Sequence, residues 1–524
     1  MWAILRGPCD ESVIRSRSPA EPCAKSRGRW VLAATILASS MAFIDGTVVN
    51  VALPALQTHL NATAVDVQWV IEAYSLFLSA LLLVGGSLGD HYGRRKIFVI
   101  GVGVFALAST ACGFAVSVHQ LIIARAIQGL GAALLVPGSL AIISNSFSET
   151  ERGRAIGTWS GFSAITTGAG PVLGGWLIEH VSWRAVFFIN VPIALAVILI
   201  SVRHVAESSD ETKRKIDWIG SVLAALGLGA LVFGLIESSR LGFDDRSVIA
   251  VLVAACVLLI VFLSFEAHIP EPMLPLTLFR SRTFAGTNLL TFLLYAALGG
   301  TLFFLPMNLI QIQHYPATAA GAALLPFILL VFALSRWSGG LVSRYGARLP
   351  LIVGPLVAAC GYALFLRTGI GNNYWTDFFP PVAVLGLGMA ISVAPLTTVV
   401  MDSVSPARAG VASGVNNAVA RTAGLVAIAV FGIIMLHLFK DHLDQRLAKA
   451  GPSSAVVQSL EKQSNKLAAI EIPADQNADA QQSLRQVVDE SFVSGFRAVM
   501  VAGAILAAAS ALTALILIKT SAPR

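Results

Sequence analysis

Charge is scarce in this 524-residue chain. Only 12% of its residues are Asp, Glu, Lys or Arg, against roughly 25% in an ordinary soluble domain. A soluble protein of this length needs charged surface over several domains, so a soluble enzyme and a disordered chain are both excluded. Cysteine is also sparse. Five are present, and Cys112, Cys256 and Cys360 lie inside apolar runs, which excludes a disulfide scaffold. No Gly-Lys dipeptide occurs, so the chain carries no Walker-type phosphate loop and no built-in ATPase. The nine histidines are scattered, with no H-E-x-x-H and no nucleophile elbow. No metal, nucleotide or other cofactor is expected, and no enzymatic activity. No secretory signal peptide is evident.

Apolar residues dominate instead. They make up 56% of the chain, and the mean hydropathy is +0.76. A helical span needs about 20 largely apolar residues. Fourteen such runs can be drawn, at about 30–53, 66–88, 97–117, 119–143, 154–178, 184–203, 217–237, 247–266, 284–310, 318–342, 350–366, 380–402, 409–437 and 494–518. The expected fold class is an all-α polytopic membrane protein. The net charge of +7 is then a matter of orientation rather than of nucleic-acid binding. The two tails and the even-to-odd loops hold 22 Lys and Arg, and the opposite short loops hold four, Arg184, Arg240, Arg246 and Arg367. This bias places both termini in the cytoplasm. Segment 438–493 falls outside. It reads as two or three amphipathic helices, with Leu443, Leu447, Val456, Leu460, Leu467, Leu484 and Val488 at helical spacing, forming a solvated cap.

An internal echo divides the chain. The loop after span two reads G-S-L-G-D-H-Y-G-R-R-K, Gly86 to Lys96, and the loop after span ten reads G-G-L-V-S-R-Y-G-A-R, Gly339 to Arg348. Duplicated bundles around a shared central site are a transporter architecture. The expected organisation is a disordered tail at 1–28, a six-helix bundle at 29–203, an inserted pair of helices within 204–283, a second six-helix bundle at 284–518 that includes the outer segment, and a short cytoplasmic end at 519–524. The copies differ in charge, with Ser343 where Asp90 stands and Ala347 where Arg94 stands.

Ionisable residues at membrane depth are costly and are functional candidates. Asp45 lies nine residues before Pro54, about 13 Å from the outer end of span one. Glu72 and Arg125 lie roughly 9 Å deep in spans two and four. Two carboxylates and an arginine in one depth band can alternate between protonated and charged states, as proton exchange requires. In the first copy of the loop, Gly86 and Gly93 allow tight turns. Asp90 can accept from helix-start amides or pair with an arginine, and Arg94, Arg95 and Lys96 hold the loop in the cytoplasm. Gly168, Gly170, Pro171, Gly174 and Gly175 form a small-residue face that lets helices approach closely. Polar side chains within the spans, Asn50, Gln128, Asn288, Asn416, Asn417 and Arg421, are candidates for a substrate cavity.

These stretches carry a resemblance. The Gly86–Lys96 loop resembles the major facilitator superfamily signature between the second and third helices. F-I-D-G-T-V-V-N-V-A-L-P, Phe43 to Pro54, is similar to the first-helix motif of the fourteen-span drug:proton antiporters. R-A-I-Q-G-L-G, Arg125 to Gly131, is similar to the R-x-x-Q-G motif of span four. G-A-G-P-V-L-G-G, Gly168 to Gly175, resembles the antiporter motif of span five, and W-R-A-V-F-F-I-N-V-P, Trp183 to Pro192, resembles the start of span six. The resemblance covers roughly residues 29–518. It implies the major facilitator fold, two six-helix bundles plus two inserted helices. It also implies proton-driven multidrug efflux of amphipathic, often cationic compounds by alternating access, across a bacterial inner membrane. In that reading Asp45, Glu72 and Arg125 couple protons, Asp90 and Arg94 gate the cytoplasmic side, and the Gly168–Gly175 motif seals against leak. A narrow-specificity metabolite exporter on the same fold is the alternative. The partners are then small drugs, protons and lipid, with no nucleic acid. A periplasmic adaptor and outer-membrane tunnel stay open.

Overall fold

A computed structural model describes residues 25–147, 149–209, 217–270, 272–371, 373–404, 409–473 and 476–518. Residues 1–24 and 519–524, most of the expected tails, lie outside these. The first helix, α1 (Lys25–Leu60), begins inside the segment expected as a tail. It is followed by α2 (Ala64–Tyr92), α3 (Arg94–Phe114), α4 (Val118–Ser146), α5 (Glu149–His180) and α6 (Asn190–His204). Then come α7 (Trp218–Leu241) and α8 (Arg246–His268). The C-terminal series is α9 (Arg282–Met307), α10 (Leu325–Gly339), α11 (Arg348–Leu364), α12 (Phe379–Asp402), α13 (Ala409–Ala450), the short α14 (Ser454–Lys462) and α15 (Ala478–Leu517). Among the described residues, thirteen helical stretches are long and apolar enough to cross a membrane. The fifth expected span corresponds to α5, 32 residues long.

Local chemistry starts these helices where the apolar runs begin. Thr63 and Asp66 form a reciprocal capping box at α2, and Ser117, Ser281 and Asn477 cap α4, α9 and α15 through their side-chain oxygens. Gly93 separates α2 from α3 with φ at +108°, a conformation open to glycine and costly for other residues. Two expected spans are interrupted. Span ten is split into Ala317–Ala322 and α10, and span six has a separate turn, Ala185–Phe188, before α6.

Helix α13 has 42 residues and α15 has 40. At 1.5 Å per residue each is about 60 Å long, twice the thickness of a bilayer core. Both therefore project past the membrane on the face opposite the described chain ends, here termed the cap face; the other is the terminal face. The seven apolar residues picked out in segment 438–493 are all buried and belong to the largest apolar core. The cap is thus a packed extension of the bundle, with Arg446 paired to Glu490 at 3.1 Å between α13 and α15.

Helix α7 fills the cleft between α2 and α13. Val232 and Ile236 pack with Val65, Leu425 and Ala429. Helix α8 packs on α7, where Gly227 and Gly234 admit Leu259 and Leu252 against the backbone. Most of α8 otherwise faces outward, with Ile249, Val253, Val257 and Ile260 exposed.

Candidate functional site

The buried polar centre forms around Asp45 in α1, which has no exposed surface. Its carboxylate pairs with the Arg125 guanidinium, 1% exposed, from α4. Gln128, one turn along α4, donates from Nε2 to Asp45 Oδ1 at 2.8 Å and accepts from Arg125 Nη1 at 2.8 Å. Asn190 at the start of α6 donates to the same Oδ1 at 3.4 Å and to Ser109 Oγ at 3.0 Å. Arg125 also donates from Nε to the Val70 carbonyl at 3.0 Å, and its guanidinium lies 4.3 Å from the centroid of the Tyr74 ring. Two positions of α4 three residues apart, one of α1, one of α6 and the backbone of α2 thus converge. A buried ion pair persists only when further hydrogen bonds support it; here both Asp45 oxygens accept, and Arg125 Nε and Nη1 donate.

Glu72 does not join it. The residue is fully buried in α2, and neither carboxylate oxygen has a hydrogen-bond partner. The depth band placed Asp45, Glu72 and Arg125 together; packing brings two of them into contact and leaves the third alone. Asn190 and Tyr74 are the residues that the sequence reading missed. Asn190 lies inside the quoted span-six motif, and an amide within an apolar run was its only signal.

The C-terminal series builds a second polar centre without a carboxylate. Asn416 of α13 donates to Asn288 Oδ1 at 3.2 Å and to Thr291 Oγ1 at 2.7 Å in α9, and Asn288 Nδ2 donates to the Phe284 carbonyl at 2.9 Å. Asn417 is exposed and Asn50 half-buried. Arg421, further along α13, is half-buried.

The loop at Gly86–Lys96 is held within its own series. Asp90 accepts from Arg94 Nε at 2.7 Å. The helix-start amides of α3 are taken by Glu207, which accepts from Arg95 N at 2.9 Å and Lys96 N at 3.1 Å. The Arg95 side chain donates to the Val205 carbonyl at 3.0 Å. Gly93 packs against the Glu207 carboxylate, where a side chain would collide. Gly86 faces Pro137 of α4. Ser343, in the second copy, has its side chain outside the described residues.

The small residues of α5 lie on a seam. Gly170 and Gly174 admit Thr47 and Val48 of α1, and Gly168 admits Ile328 of α10. Gly175 lies on the Ala317 backbone, and the Pro171 carbonyl meets Gly321. Four hydrogen bonds that join the two series lie toward the cap face: Gln311 to Gln57 at 2.7 Å, Gln68 to the Ile428 carbonyl at 3.4 Å, Thr318 to Glu179 at 2.6 Å, and Lys466 to Asn61 at 2.8 Å. Beneath the cap a cavity of about 430 Å³ is lined by Gln57, Asn61, Gln311, His314, Lys466 and Arg485, among others.

Many apolar spans, two helical series meeting along a small-residue seam and a charged cluster buried between helices define a polytopic membrane protein built like a transporter. The family model for the Major Facilitator Superfamily matches residues 35–429. The chain belongs to that superfamily. It is 34% identical over 422 residues to the multidrug resistance protein Stp of Mycobacterium tuberculosis, covering 80% of this chain and 78% of that one. It is 33% identical over 514 residues to the tetracenomycin C resistance and export protein of Streptomyces glaucescens, covering 94% and 92%. Among solved structures, a bacterial homolog of the human lysosomal transporter Spinster, inward-facing and occupied, matches with TM-score 0.66 at 17% identity, covering 95% of this chain and 98% of that one. That likeness is one of fold.

Proposed function

We propose that this protein exports amphipathic drugs across a bacterial cytoplasmic membrane in exchange for protons, by alternating access. The observation that carries the reading is the fully buried Asp45–Arg125 pair, cradled by Gln128 and Asn190. The relatives named for drug and antibiotic resistance support the substrate class. In this reading both termini are cytoplasmic and the cap face is outward. Protonating Asp45 removes the charge that Arg125 pairs with, while Val70, Gln128 and Tyr74 keep hold of the guanidinium. The cluster then has two states that differ by one proton, and the α1–α4 contact differs between them. Glu72, buried without a donor, serves as a second proton carrier on α2. Arg421, Asn288 and Asn416 present the polar wall of the C-terminal series to a substrate. The seam at Gly168–Gly175, joined toward the cap face, is the closed outer side of the cycle. The protein works without a cofactor, driven by the proton gradient, and an adaptor with an outer-membrane tunnel is a partner only if the host has an outer membrane.

The test uses inverted membrane vesicles, energised and given ethidium, with the proton gradient and the dye followed together. Wild type should dissipate the gradient when dye is added, and Asp45→Asn should not. Unchanged dye-driven dissipation in Asp45→Asn would remove Asp45 from the coupling. No response to a panel of cationic and neutral drugs would favour the narrow-specificity metabolite exporter.

A further inference from the structure

We propose that Asp217 and Glu266 form a proton-binding site outside the transport core, in which one proton shared by two carboxyl groups ties the start of α7 to the end of α8. Asp217 caps α7, its Oδ1 accepting from Gly220 N at 2.8 Å. Glu266, 2% exposed, lies near the last turn of α8, and its Oε2 accepts from Leu274 N at 2.8 Å. One oxygen of each carboxyl is therefore taken by a backbone amide. The other oxygens, Asp217 Oδ2 and Glu266 Oε1, have no donor. A methyl group added to Gly220 would collide with both of them. The two therefore face each other within about 5 Å, the range over which one carboxylate suppresses ionisation of the next.

Two acceptor-only oxygens so placed repel as anions. A single proton turns one into a donor to the other, and both are satisfied at once. A metal ion fits poorly. With the backbone amides in place the pair offers only two oxygens, whereas a hard cation takes six or more. Among the described residues there is no cluster of three or more His, Cys, Asp or Glu side chains that could hold one. Among the described residues, no lysine or arginine acts on Glu266. Asp217 is the charged group that acts on Glu266. His268, at the end of α8, is bound to the Ser264 carbonyl. The apolar contacts of α7 with the other helices run through Val65, Trp69 and Leu76 of α2 and Leu425 and Ala429 of α13. The run Lys213–Lys215 and Glu271 lie outside the described residues.

The site binds three segments together. Ser221 Oγ donates to the Asp217 carbonyl at 2.5 Å and contacts Met273 Sδ at 3.5 Å, so the stretch leading into α9 is included. Because α7 packs on both α2 and α13, its anchorage bears on both helical series. The two unpartnered oxygens face each other only in the folded protein, so a proton between them stabilises that state over the unfolded chain. Its stabilisation is therefore present at low pH and lost as pH rises through the folded value. On the cytoplasmic side, where the export reading places it, the clasp loosens as the cell interior becomes alkaline. That consequence rests on the export reading; the site itself does not.

The test uses the purified full chain in lipid nanodiscs and needs no transport. Glu266→Gln still accepts from Leu274 N and gains an amide donor toward Asp217. Asp217→Asn keeps the helix cap and does the same in reverse. Between about pH 5.5 and about pH 8.5 the wild-type melting temperature should fall by several degrees more than that of either variant. The infrared difference between wild type and Glu266→Gln should show a protonated carboxyl C=O band that vanishes as pH rises. If Glu266→Gln fails to fold, Asp217→Asn carries both measurements. Equal pH slopes in wild type and variants, or no carboxyl band, would overturn the proposal. So would calcium chloride at high pH raising the melting temperature of wild type but not of the variants, which would mark a metal site. A failure of ethidium export leaves each of these readouts intact.

Discussion

The two helical series solve the same problem differently. In α1–α6 the buried polar centre is ionic: Asp45 and Arg125, completed by Gln128 and Asn190. In α9–α15 it is built from amides and hydroxyls, Asn288, Thr291 and Asn416, and Arg421 has no carboxylate partner among the described residues. A duplicated architecture thus carries one ionic centre and one neutral one. Burying a full charge demands a compensating partner and several well-placed hydrogen bonds. A neutral amide needs only a bond or two.

Breaking the ionic centre should cost most. Arg125→Leu strands Asp45 without a partner and should remove about 3–5 kcal/mol of stability, read as a lowered melting temperature. Normal stability would mean that the ion pair does not hold the series together. Asp45→Asn should come next. It keeps amide contacts to Gln128 and Asn190 but leaves the Arg125 charge unpaired, held only by Val70, Gln128 and Tyr74, so about 3 kcal/mol is expected in the melt. Its larger effect should be on coupling, with drug-dependent collapse of the gradient lost. Asn416→Ala breaks the neutral centre by removing two hydrogen bonds, about 1–2 kcal/mol, and should slow export while leaving it proton-dependent. If it uncoupled transport as Asp45→Asn does, the contrast between the series would fail. Glu207→Gln should be mildest. Glu207 is 39% exposed, so less than about 1 kcal/mol is expected. Faster hydrogen exchange at the Arg95 and Lys96 amides would report the loosened start of α3.

Much of the site was legible because a charge inside an apolar run stands out by itself. Asp45 and Arg125 were found that way, and their pairing across 80 residues follows from packing. Glu72 shares their depth, but depth along a helix says nothing of which face the side chain takes, and its face carries no donor. Asn190 lay within the quoted span-six motif but was given no role, because a lone amide in an apolar stretch does not show which partner it meets. Glu207 sits in a charged interhelical loop, where no local feature shows that it caps a helix start 112 residues earlier. Segment 438–493 was read correctly as helical, yet its apolar face is buried rather than capping in solvent, because α13 and α15 run on beyond the membrane and pack there.

The sequence by itself determined the number of apolar runs, the membrane-spanning helical class, the two related series and the family. Each of these follows from hydrophobicity, charge and short motifs within a few turns of chain, which act before any tertiary contact exists. Only the tertiary structure decided which partners meet. Examples are Asn190 with Asp45, the Gly168–Gly175 face against Ala317 and Gly321, and Asp217 with Glu266. Those encounters join residues far apart in the chain. Packing brings them within hydrogen-bonding range, and at that range the cost of an unpaired buried polar group becomes decisive.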